Sequence, residues 1–156
     1  MCGSCGVLDK NAAKNGIIIP SSAIRDEGTS FHYMKPSREI ILDAKVVSLI
    51  KSCLNELGIK YSIGKTWTTD AFYRETPRKV NSRREEGCIS VEMETSAMSA
   101  VAKFRKVNFG AIFYTGDDIT GDVWNVDKLN CKNSRERLFD IALEIAYRMS
   151  KFNFSV

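Results

Sequence analysis

A single histidine, His32, stands in 156 residues, so a closed zinc site lacks ligands even though Cys2 and Cys5 form a CxxC. No second CxxC accompanies it, and no metal is expected. The five cysteines, Cys2, Cys5, Cys53, Cys88 and Cys131, are odd in number and scattered, which fits reduced thiols and argues against a disulfide framework. No apolar run comes near the roughly 18 residues that a membrane helix needs. The opening MCGSCG lacks the basic and hydrophobic regions of a signal peptide, so the chain reads as cytoplasmic with no membrane partner. Positive charge is thin as well. The formal net charge is only +4, and the densest basic stretch, Arg78 to Arg84, gives way at once to Glu85-Glu86. A nucleic-acid surface would want a longer basic stripe interleaved with aromatics, so nucleic acid is not an expected partner. The expectation is a solvated loop with one arginine available to an anion or a base.

What remains is ordinary for a globular protein: 44% hydrophobic and 27% charged residues in a length that suits one domain over 1–156. Gly16 to Pro20 is a short apolar run closed by proline and reads as a buried strand, followed by a polar loop over 21–34. From Ser37 as N-cap, the apolar residues Ile40, Ile41, Ala44, Val47, Ile50, Leu54 and Leu57 repeat at helical spacing until Gly58. A strand is expected over 59–68, a long loop over 74–87, a helix through Met93, Ala97, Ala100, Val101 and Phe104, and a strand over 109–115. A last helix opens at Asn133. Strands alternating with helices argue an α/β domain with a largely parallel sheet of three or so strands, beginning directly on a glycine-bearing turn.

The most informative stretch is Val91-Glu92-Met93-Glu94, where a strand-like run hands over to a helix. Acidic residues in a first helical turn are favoured by the macrodipole alone. A carboxylate at such a junction can also face a cleft and accept hydrogen bonds from a sugar diol. Asp70-Ala71-Phe72-Tyr73 upstream and Thr115-Gly116-Asp117-Asp118 downstream each end another strand-like run. Three polar clusters at strand ends point to one shared site.

With these motifs the chain resembles the nucleoside phosphorylase family, which includes purine nucleoside and uridine phosphorylases. The resemblance runs from Gly3-Ser4-Cys5-Gly6 through Arg25 to Tyr33, Asp70 to Tyr73 and Val91 to Glu94, and ends at Gly116-Asp117. It implies a three-layer α/β fold around a mixed, largely parallel sheet, with the family's amino-terminal part missing. It implies phosphorolysis of the N-glycosidic bond of a purine ribonucleoside, with phosphate as co-substrate, no other cofactor, and assembly as a homo-oligomer. Gly3 and Ser4 would hold phosphate, Glu94 the ribose hydroxyls with Met93 under the sugar and Glu92 close by, and Phe72 would stack on the base. Asp117 would protonate N7 of the base. Its neighbour Asp118 invites a proton-sharing pair, since two carboxylates in one buried site do not both ionise cheaply.

Base choice and anion binding depart from the family pattern. The glutamine and arginine with which uridine phosphorylases grip uracil correspond here to Thr76 and Arg78, so half of that clamp is absent. An acid at Asp117 favours purines, because uracil has no N7, while the Arg25 to Tyr33 segment looks more like the uridine branch. Met1 stands where the family carries a phosphate arginine, and Lys132 is the nearest substitute in the sequence. Three alternatives stay open beside purine phosphorolysis: a uridine phosphorylase, a nucleosidase that uses water, and an inactive nucleoside-binding domain.

Overall fold

The computed structural model describes residues 1–121, 125–126 and 131–151, with backbone alone at 125, 126, 131 and 132. Seven strands alternate with five helices: β1 (Cys2–Val7), α1 (Lys10–Asn15), β2 (Ile17–Asp26), β3 (Glu39–Ile41), α2 (Ala44–Glu56), β4 (Ser62–Thr69), α3 (Pro77–Glu85), β5 (Cys88–Glu92), α4 (Thr95–Arg105), β6 (Ile112–Asp118), β7 (Asn125–Val126) and α5 (Cys131–Lys151). They form one sheet in the order β3-β2-β4-β5-β1-β6-β7, and the start of β2 also pairs with β6, so the sheet curls back on itself. The longest ladders, β2 with β4 and β1 with β6, are parallel, whereas β1 with β5 and β2 with β3 are antiparallel. The mixed, largely parallel sheet matches the expectation, with more strands than the three or so foreseen.

Alternation along β2 explains why helices lie on both sides. Ile17 and Ile19 join Ile112 and Tyr114 against α2 and α5, while Ile18 joins Cys5, Val7 and Phe113 against Ala12 of α1. Pro20 does not end this strand. The register shifts between Pro20 and Ser22, a bulge that accommodates a residue without an N–H, and the strand continues to Asp26 where a loop was expected. The helix expected from Ser37 begins later, at Ala44. Asp43 caps it through Oδ1, which accepts from the N–H groups of Lys45 (2.7 Å) and Val46 (3.3 Å), and the Ile40-Ile41 pair belongs to β3 instead.

Two elements correct the sequence reading in ways that affect the site. Cys2–Val7 is a strand between β5 and β6, so Gly3 and Ser4 lie on extended backbone and not on a turn. The 74–87 stretch holds helix α3, opened by Pro77. Its buried residues are Val80 and Arg83, too few to give an apolar period. Lys79 and Arg83 lie over the Trp67 ring at 5.2 and 5.4 Å, and both reach Asp26 Oδ2, at 2.9 and 3.1 Å. These bonds, with one from the Trp67 indole, outweigh burial and hold Asp26 below the usual carboxylate range.

Gly6 is required by close approach: a Cβ there would meet Ile119 Cδ1 at 2.6 Å and Val91 Cγ1 at 2.9 Å. Val91 faces Gly6 across the β1–β5 ladder and is itself core, so it cannot retreat. Gly6→Ala is therefore expected to destabilise the protein by about 1–3 kcal/mol through overpacking. Urea unfolding of the two proteins measures it, and an unchanged midpoint would contradict this packing.

Candidate functional site

The turn after β4, the end of β5 and residues along β1 and β6 line one cleft of about 1080 Å³, just above the ~300–1,000 Å³ usual for small-molecule sites. Gly3, Ser4, Phe72, Glu92, Met93, Glu94 and Asp117 all line it, together with Glu75, Tyr114 and Arg135. The three polar clusters of the sequence thus meet at one place. Arg78 does not join them. It lies exposed on α3, and neither it nor Thr76 is among the described residues that line the cleft.

Glu92 and Glu94 divide their labour. Glu92 is 5% exposed, and its Oε1 accepts from the Thr68 hydroxyl at 2.6 Å. Its Oε2 accepts from the N–H groups of Glu94 (2.9 Å) and Thr95 (2.7 Å), the first donors of α4. A carboxylate at a helix start is favoured by the dipole and by unpaired N–H groups. Burial nevertheless dominates and pushes the Glu92 carboxyl above its ordinary value, against the hydrogen bonds. Because Glu92 caps the helix from inside, the exposed Glu94 side chain makes no capping bond and is presented to the cleft. Met93 is 40% exposed between them, an apolar surface beside the Glu94 carboxylate.

Phe72 opens a 3₁₀ turn, Phe72–Arg74, at the end of β4. It is 41% exposed, which places it in the cleft wall and not in the core, and its ring lies 3.9 Å from that of Tyr73. Asp117 is half-buried near the end of β6, while Asp118 is exposed and accepts from the Thr120 N–H at 2.8 Å, a bond that lowers its pKa. Asp118 faces away from any shared proton. The carboxyl that shares the cleft with Asp117 and feels its charge is Glu75, which the sequence did not single out.

Cys5 is buried at the cleft's edge. Burial first, then the negative charges of Glu92 and Asp117, push its thiol strongly up, so it is no nucleophile at neutral pH. Near Gly3 and Ser4 the cation among the described lining residues is Arg135, whose Nε donates to the Tyr114 hydroxyl at 3.0 Å. Its place one turn into α5 was not visible in the sequence. Lys132, named there as a substitute phosphate ligand, has a side chain outside the described residues.

If Glu92 is structural and Glu94 faces ligand, the two separate on mutation. Glu92→Ala should lower stability by about 3 kcal/mol, the order expected when charged hydrogen bonds are lost from a buried junction. Glu94→Ala should leave the melting temperature within a few degrees. Thermal denaturation followed by circular dichroism distinguishes them, and equal losses would refute the division.

Comparison with known proteins bears on family and fold. The family model described as the phosphorylase superfamily matches residues 1–146. A DeoD-type purine nucleoside phosphorylase of Buchnera aphidicola is 30% identical over 145 residues, covering 92% of this chain and 60% of the relative. A uridine phosphorylase of Thermococcus kodakarensis is 26% identical over 123 residues, covering 70% of this chain and 44% of the relative. The crystal structure of the purine nucleoside phosphorylase of Toxoplasma gondii, in complex with immucillin-H, superposes with a TM-score of 0.82 at 18% identity. It is matched over 96% of this chain and 62% of its own. The chain thus spans about 60% of the length of such relatives. On the match over 1–146 and the shared fold, the chain belongs to the phosphorylase superfamily.

Proposed function

We propose that the chain cleaves the N-glycosidic bond of a purine ribonucleoside with phosphate, giving the free base and ribose 1-phosphate. The observation that carries this reading is the convergence on one cleft of the aromatic Phe72, the exposed Glu94 carboxylate beside Met93, the carboxyls of Glu75 and Asp117, and Ser4 near Arg135. Phe72 takes the face of the base. Glu94 accepts the ribose hydroxyls with Met93 beneath the sugar. Ser4, beside Gly3 and Arg135, receives the phosphate, where a hydroxyl and a guanidinium suit an anion. As the C1′–N9 bond breaks, its electron pair goes to the base and the ribose develops oxocarbenium character, which a phosphate oxygen quenches at C1′. The acidic part of the cleft, which Asp117 lines, supplies the proton that makes the base a neutral leaving group.

The uridine relative makes pyrimidine nucleosides the second reading. Purines are favoured because Arg78 and Thr76 stand off the cleft and because an acid has little to protonate on uracil. The reaction as proposed needs no cofactor beyond the co-substrate phosphate.

Base release from inosine, adenosine and uridine, with and without phosphate, tests this directly. Phosphate-dependent release from a purine nucleoside is expected, and Asp117→Asn should reduce it at neutral pH by disturbing proton delivery to the base. Release indifferent to phosphate would replace the nucleophile by water. Glu94-dependent binding without turnover would leave a binding domain only.

A further inference from the structure

Two carboxyls, not one, stand at the acidic end of the cleft. Asp117 arrives on β6 and Glu75 just past the 3₁₀ turn Phe72–Arg74 that follows β4, and both line the same cavity. The turn fixes their relation to the base platform. In a 3₁₀ helix, residues three apart eclipse, so Glu75 lies on the same side of the turn as Phe72. The Glu75 N–H donates to the Phe72 carbonyl at 3.1 Å and closes that turn. A base stacked on Phe72 would therefore have Glu75 at its edge, with Asp117 beyond.

Resting on the phosphorolysis reading above, we propose that Glu75 is a second catalytic residue of this site. It holds the proton at rest and donates it to the leaving base, while Asp117 is the carboxylate that keeps the proton there.

The surroundings favour this arrangement. Burial first, and the negative charge of Asp117 second, raise the Glu75 carboxyl to about 7, against a smaller pull from Lys79. Lys79 does not neutralise Glu75 outright, because its ammonium is held by Asp26 at 2.9 Å over the Trp67 ring. The other charged groups lining the cleft are Glu92 and Glu94 from the β5–α4 junction and Arg135 and Glu136 from α5. Glu92 is committed to Thr68 and the start of α4, and Arg135 bonds the Tyr114 hydroxyl. A carboxyl that ionises near neutrality is matched to its task, since it is still protonated at working pH yet acidic enough to give the proton up.

The step balances. The Glu75 proton goes to N7 of the purine as the C1′–N9 electron pair enters the ring. A phosphate oxygen forms the new bond to C1′, and the proton that phosphate loses in becoming an ester restores the acid.

A purine nucleoside already methylated at N7 needs no acid, because its base leaves as a neutral molecule once the glycosidic bond breaks. The test compares inosine with 7-methylinosine for the wild type, Glu75→Gln and Asp117→Asn across pH 5 to 9. The wild type is expected to lose kcat/KM on inosine as pH rises above about 7, the direction set by an acid that must be protonated. Glu75→Gln should lose roughly 10²–10⁴-fold on inosine, flatten that limb, and keep its rate on 7-methylinosine within a few-fold. Asp117→Asn, by removing the neighbouring charge, should move the limb to lower pH. Retained turnover of the methylated substrate also reports that the variant is folded. An unchanged inosine rate in Glu75→Gln, or an equal loss on both substrates, would overturn the assignment while leaving phosphorolysis standing. A wild type that releases no base from either substrate would overturn the phosphorolysis reading and this assignment with it.

Discussion

Everything at the β5–α4 end of the cleft depends on the buried carboxylate of Glu92. It joins three elements at one point: the Thr68 hydroxyl of β4, the end of its own strand β5, and the first N–H groups of α4. The same Thr68 hydroxyl accepts from the Ser96 N–H at 3.0 Å, and the Ser96 hydroxyl donates to Glu27 Oε1 at 2.7 Å. Glu27 Oε2 in turn accepts from the Ser30 N–H at 2.9 Å, and the Ser30 hydroxyl accepts from Arg25 Nε at 2.8 Å. A continuous polar chain thus runs from the cleft floor to the loop after β2. Burial would raise Glu27, yet the bonds from Ser30 and Ser96 outweigh it and hold the carboxyl below its ordinary value. Such a network is stable only when every member is partnered, so it fixes the rotation of α4 and with it the direction of Glu94.

The opposite end of the cleft is built on other terms. Phe72, Glu75 and Asp117 are only partly buried and hang on a short 3₁₀ turn and the end of a strand. The β5–α4 end is rigid because the Glu92 carboxylate is spent on the scaffold. At the acidic end the carboxyls remain chemically available. Mutations of similar size should therefore act differently at the two ends, through folding at Glu92 and through chemistry at Glu75 and Asp117.

Much of this was readable in the sequence, and the omissions have physical causes. Ala97, Ala100, Val101 and Phe104 foretold α4, because an amphipathic helix writes its period in apolar residues, while Met93, counted with them, lies two residues before its start. α3 wrote none. Its burial comes from Val80 and from Arg83 lying over Trp67, and charged stems covering an indole look like a solvated run. β1 was hidden for the opposite reason: Cys-Gly-Ser-Cys-Gly-Val has little strand propensity, yet the strands on either side leave room for little else, as the approach of Val91 to Gly6 demonstrates. β2 was shortened because Pro20 reads as a stop when the register shift beside it is unseen.

The same limit applied to the site. Residues beside a chain turn, such as Glu92, Glu94 and Asp117, are legible because the strand–helix junction that carries them is itself a sequence pattern. The idea that two carboxylates share a proton was also available from Asp117 and Asp118, but adjacency in sequence is poor evidence for adjacency of side chains in an extended strand. Successive residues of β6 point to opposite faces. Asp118 is turned to solvent, where it bonds the Thr120 N–H, and Asp117 is turned to the cleft. The carboxyl that shares the cleft with Asp117 follows a different strand, far earlier in the sequence, and reaches it through the curl of a sheet in which β4 and β6 run antiparallel. Charge coupling of this kind is a property of the fold's topology. Only the three-residue step from Phe72 to Glu75 could have been read locally, and only by someone who already knew that the backbone there is 3₁₀.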